Sequence, residues 1–104
     1  MNADVEVILK SIYHLVNELR NSLISSGDSR GHCLMFSHAL QNRIDRALLL
    51  PCCLHIGSFN GMPHAWVSIW IGDEVWWIDG TADQFGDYEV PIIIKAFTMD
   101  EYYP

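Results

Sequence analysis

The sequence predicts an α+β domain with two N-terminal helices packed on a small antiparallel sheet. Three observations carry this. Apolar residues recur every three or four positions through the first half. After Pro51 the chain changes to aromatic and β-branched runs separated by turn residues. Helices and strands also follow each other in blocks, which favours an antiparallel sheet over βαβ units. The 104 residues fit one domain spanning 1–104. Half of them are hydrophobic and 18% are charged, enough for a packed core.

Residues 3–25 read as an amphipathic helix with Val5, Ile8, Leu9, Ile12, Leu15, Leu19 and Leu23 on its apolar face. The polar stretch Ser25–Gly31 should break it. A second helix is expected to begin between His32 and Leu34 and run to about Leu48, burying Leu34, Ala39, Leu40, Ile44 and Ala47. Cys52–Ser58 reads as a short strand and Gly57–Pro63, with two Gly, an Asn and a Pro, as a loop. His64–Ile71 and Glu74–Asp79 are strands joined by Gly72-Asp73, a two-residue hairpin turn with Gly at the first central position. Gly80–Tyr88 is turn-like. Val90–Ala96 adds a further strand, with Pro91 restricted to an edge or a start.

Six Lys and Arg against thirteen Asp and Glu give a formal net charge of -7. That balance repels phosphate backbones and anionic lipid heads, so neither nucleic acid nor a membrane surface is an expected partner. The N-terminus lacks the continuous apolar stretch of a signal peptide, and no run approaches the roughly 18 apolar residues that span a bilayer. Cys33, Cys52 and Cys53 are odd in number, and the adjacent pair could bridge only under strain, which points to free thiols in a reducing, cytoplasmic compartment.

The chemistry concentrates at Cys33. A thiol attacks carbonyl carbon well only as thiolate, and a helix N-terminus or a neighbouring imidazolium lowers its pKa from about 8.5 to roughly 3.5–7.5. Cys33 is expected in the first turn of the second helix. Cys52 and Cys53 fall in an apolar strand, where thiols are usually inert. A thiolate needs a base, and the base needs an orienting acceptor. With Gly72-Asp73 as the turn, Ile71 faces Glu74 and Trp70 faces Val75. Continuing the ladder sets Trp66 against Asp79 and His64 against Thr81, all four on one face. His64 and Asp79 are then diagonal neighbours with Cα atoms about 7 to 8 Å apart, and a slip of one residue would part them. Singly, a Cys at a helix start is a small core residue, a His at a strand start a polar terminus, and an Asp before Gly a turn former. Their joint order, with the last two related across one hairpin, is what singles them out. Cys53 and His55 alternate on a strand, but no C-x-x-C spacing accompanies them, so no metal site is expected.

The stretches GHCLMFSHAL, HAWVSIWIG and WWIDGTADQFG, spanning Gly31–Gly86, resemble the transglutaminase-like branch of the papain-like cysteine proteinases. In that superfamily a Gly-x-Cys opens a helix, a His-x-Trp opens a strand and an Asp ends the next strand, positions that Cys33, His64 and Asp79 match. The pattern is also similar to proteases that process lasso-peptide precursors, and DGTADQF is similar to small bacterial and phage transglutaminase-like proteins. The resemblance implies a papain-like core and no cofactor. It implies peptidase or amidase action on a peptide or protein through a thioester, or the same triad working as a glutamine deamidase or acyl transferase, or a non-catalytic binding module on the same fold. Papain's oxyanion Gln before the Cys has no counterpart in SGDSRGH, which leaves Gln84 as a candidate for polar or oxyanion support. Trp66 and Thr81, on the face of the His, are candidates for lining a substrate cleft. Trp66, Trp70, Trp76 and Trp77 straddle both faces of the hairpin, and so small a core leaves room for a homodimer or a macromolecular partner.

Overall fold

The computed structural model describes residues 3–24 and 31–104. It is α+β, with two helices on a five-stranded sheet. The break expected at residues 25–30 lies outside the described residues. Helix α1, Ala3–Leu23, starts with Asp4 and Glu6 and ends with Arg20, charges that complement its dipole. Its buried stripe is Val5, Ile12, Val16 and Leu19, with Ile24 just beyond; Leu23, expected inside, is exposed. Helix α2, Cys33–Leu48, buries Phe36, Ser37, Leu40 and Ile44. Leu34 is 54% exposed, contrary to expectation. At about 100° per residue it lies well round the helix from Cys33, which shares the stripe of Ser37, Leu40 and Ile44. Ala47 is exposed too, in the last turn before Leu49 takes a left-handed conformation.

Strands β1 (Cys52–Phe59), β2 (Met62–Ile71), β3 (Glu74–Asp79), β4 (Ile92–Lys95) and β5 (Tyr102–Tyr103) lie in the order β4-β3-β2-β1-β5. All neighbours are antiparallel. The loop expected at Gly57–Pro63 is instead a tight hairpin. Phe59 pairs with Met62, and Asn60 and Gly61 turn the chain with φ of 48° and 82°. Asn-Gly is the strongest two-residue hairpin signal, because both central residues need positive φ. Pro63 is tolerated inside β2 because β3 joins β2 only from Val67 onward, leaving a single neighbour at the proline. Gly72-Asp73 makes the turn expected of it, and the β2–β3 register runs from Ile71↔Glu74 to Val67↔Ile78. β4 is shorter than the Val90–Ala96 expected, and Pro91 immediately precedes it.

Both faces of the sheet are covered by the chain itself. Val67, Ile69, Trp76 and Ile78 meet the helices, together with Ile12, Val16, Phe36, Leu40 and Ile44. Phe59, Trp66, Trp77, Ala82 and Tyr102 form a second, aromatic cluster on the opposite face. The chain after Phe85 packs over it through Tyr88, Val90, Ile92, Ile94 and Met99. Trp66, Trp76 and Trp77 are therefore interior, and only Trp70 is exposed, at 38%. Among the described residues no helix is long and apolar enough to cross a membrane.

Gly80, directly after β3, lies against α2: a Cβ there would run into the fully buried Phe36 ring. Gly80→Ala should cost about 1–3 kcal/mol through overpacking. Urea unfolding should show a lower midpoint with an unchanged m value; an unchanged midpoint would mean that this contact is not tight.

Candidate active site

Cys33 is the first residue of α2, and the first helical hydrogen bond runs from the Phe36 N–H to the His32 carbonyl, at 2.9 Å. The N–H groups of Cys33, Leu34 and Met35 therefore have no acceptor within the helix, and the positive end of its dipole lies at the thiol. One turn along the same stripe, the buried Ser37 hydroxyl donates to the Ala65 carbonyl at 3.1 Å, fastening this end of α2 to the start of β2. The half-buried Cys33 thiol thereby meets His64, Ala65 and Gln84. Its pKa is lowered, chiefly by the hydrogen bond with His64. Burial opposes that shift, and a backbone hydrogen bond from Ala65, the His64 charge and Gln84 add to it.

His64, near the start of β2, is 2% exposed. Phe59, Phe85, Trp66 and Tyr102 surround its ring, with Phe85 nearest at 4.9 Å between centroids. Its Nε2 lies 2.7 Å from Asp79 Oδ2. Burial favours the neutral ring, but the hydrogen bonds and charges of Asp79 and Cys33 outweigh it and raise the pKa to about 9. The imidazole is therefore protonated at neutral pH.

Asp79 ends β3 and is 1% exposed. A buried carboxylate is costly unless its lone pairs are filled. Here Oδ2 accepts from His64 and from the Tyr102 hydroxyl at 2.6 Å, while Oδ1 accepts from the Thr81 N–H at 2.9 Å. Burial and the adjacent carboxylate raise the Tyr102 pKa, so this phenol remains a donor.

Gln84 sits in a single 3₁₀ turn, Ala82–Phe85. Its Nε2 donates to the Thr81 carbonyl at 3.1 Å, which fixes the amide's orientation, and lies 3.4 Å from His64 Nδ1. The structure thus brings Cys33, His64, Asp79 and Gln84 together. Trp66 and Thr81, expected to line a cleft, are fully buried. Trp66 is stacked on His55 at 4.7 Å and packed against Trp77 and Tyr102, and Thr81 is turned onto Asp79, so both support the site from beneath. Cys52 donates to the Gln41 carbonyl at 3.4 Å, and burial followed by the Asp45 and Cys53 charges raises its pKa. His55 lies with Ser68, its pKa lowered by burial. Among the described residues no three His, Cys, Asp or Glu side chains gather as metal ligands. Comparisons with protein-family models, curated proteins and solved structures find no match.

Tyr102 was not foreseen. It reaches Asp79 through a two-residue strand paired to the far end of β1, a long-range contact without local signal.

Iodoacetamide followed by peptide mass mapping should label Cys33 faster than Cys52 or Cys53 at neutral pH. The rate should inflect below the pH at which an ordinary thiol titrates. His64→Ala should slow it and move the inflection upward. Equal labelling of all three thiols would contradict the thiolate–imidazolium pair.

Proposed function

We propose that the protein is a cysteine peptidase or amidase that acts on a peptide or protein through Cys33, His64 and Asp79. The observation that carries this reading is the relay in which one imidazole meets the Cys33 thiol and, through Nε2, Asp79 at 2.7 Å. The sequence resemblance to the transglutaminase-like branch of papain-like enzymes, carried by the same residues, agrees with it.

In this reading the Cys33 thiolate attacks the substrate carbonyl carbon, and the C=O π pair moves onto oxygen. This reading assigns the Cys33 backbone N–H and the Gln84 amide as donors to that oxyanion, one such donor being worth about 2.7–4 kcal/mol. As the tetrahedral species collapses, the C–N bond breaks and His64 gives its proton to the departing amine. The thioester remains. The neutral imidazole then takes a proton from water, hydroxide adds to the thioester carbon, and collapse expels the thiolate while returning the acid product. Asp79 holds one ring orientation throughout and keeps the cation favourable. An amine in place of that water gives acyl transfer, and a glutamine side chain in place of a backbone amide gives deamidation. Free thiols at all three cysteines support a reducing, cytoplasmic setting.

Turnover should be bell-shaped in pH. The alkaline limb falls near 9, where His64 loses the proton the leaving amine needs. The acid limb lies below the ordinary thiol value, where Cys33 gains a proton. A peptide library incubated with wild type and with Cys33→Ala tests the chemistry by mass. Cys33-dependent fragments support the peptidase, whereas intact peptides converted from amide to acid identify a deamidase. Products of equal abundance with both proteins would overturn the assignment.

A further inference from the structure

Arg20, in the last turn of α1, lies outside every stretch that carries the resemblance. Its partly buried guanidinium nevertheless reaches the loop between Asp79 and Gln84. Nη1 donates to the Gly80 carbonyl at 2.7 Å and to Asp83 Oδ1 at 3.1 Å, and Nη2 donates to Asp83 Oδ2 at 2.9 Å. Gly80 is the residue after Asp79, and Asp83 is the residue before Gln84. One rigid fork therefore grips the loop at both ends of the segment that presents those two side chains to the imidazole.

The backbone hydrogen bonds within the turn itself hold it only weakly. A lone 3₁₀ turn has poor hydrogen-bond geometry, and this one is closed by contacts of 3.2 Å from the Gln84 N–H to the Thr81 carbonyl and 3.4 Å from the Gly86 N–H to the Asp83 carbonyl. The Gln84 Nε2 stays 3.4 Å from His64 Nδ1 only while the turn is held at one height above the sheet. We infer that Arg20 is a positioning residue that acts through Gln84, holding its amide where the reacting oxygen develops charge. The inference rests on the cysteine chemistry proposed above. Lysine would keep the charge but cannot donate from a planar fork to Gly80 and to both Asp83 oxygens.

Two reagents that share the nucleophile separate this role from general support. Iodoacetamide is attacked at carbon with loss of iodide and forms no oxyanion. With p-nitrophenyl acetate the thiolate adds to the carbonyl, the π pair moves to oxygen, and collapse expels p-nitrophenolate. Rates of both are measured for the full chain, with the Cys33→Ala background subtracted and iodoacetamide read on the plateau of its pH profile. Arg20→Lys and Asp83→Asn should lower the nitrophenolate burst rate at least about tenfold, a part of the roughly 10²–10³ that losing an oxyanion donor costs, and leave alkylation within about twofold. In a Gln84→Ala background, Arg20→Lys should add no more than about twofold, because coupled residues do not act independently. Equal loss of both reactions, no loss of either, or full additivity with Gln84→Ala would overturn the inference. Failure of the underlying chemistry has a different signature: wild-type alkylation at Cys33 would be indifferent to His64→Ala.

Discussion

The 2.7 Å contact between His64 and Asp79 is the constraint around which the rest of the molecule is arranged. It joins two buried ionisable groups across a hairpin, and in a low-dielectric setting such a pair is tolerable only when the remaining hydrogen-bonding capacity of both is filled. The carboxylate meets that condition through Tyr102 and Thr81. The imidazole meets it through Cys33 on the side away from Asp79. Removing either partner would leave the other without its main electrostatic complement, at a cost in stability. The sign of its pH dependence follows. The ring binds its proton more tightly in the folded protein than a free imidazole does at its ordinary value of 6.5. Its stabilising contribution is full below that value and is lost as pH rises through about 9.

The architecture serves that contact by bringing three separate parts of the chain to one end of the sheet. The Gly72-Asp73 turn sets the register that leaves Asp79 diagonal to His64. The Ser37–Ala65 hydrogen bond sets the height of α2, and with it the thiol. The C-terminal segment covers the aromatic face and delivers the Tyr102 hydroxyl from below. Of these, the turn and the helix start are local in sequence. The tail contact is not, because it depends on a two-residue pairing of Ser58 and Phe59 with Tyr103 and Tyr102.

That division explains what could be read from the sequence. The two helices, the α+β class and the β2–β3 register follow from periodicity and one turn dipeptide, signals confined to a few neighbouring residues. The buried stripe of α2 was misjudged at Leu34 because periodicity gives angles but not the direction of the sheet. The Asn60-Gly61 dipeptide signals a hairpin, but the surrounding Gly and Pro also mark loops, and the two signals compete. Trp66 and Thr81 lie beside His64 but beneath the surface, and nothing local announces that the chain beyond Phe85 folds back over the aromatic face. Arg20 and Tyr102 reach the site from sequence distances of 63 and 23 residues and carry no pattern of their own.

The most direct measurement is the titration of the His64 ring followed by NMR of its imidazole nitrogens. A ring held between thiolate and carboxylate should keep its proton to about pH 9, with Nε2–H bonded to Asp79, and Asp79→Asn should lower that midpoint. A neutral ring at pH 7 in the wild-type protein, titrating near the ordinary imidazole value of 6.5, would contradict the convergence of Cys33, His64 and Asp79 on which the proposed chemistry depends.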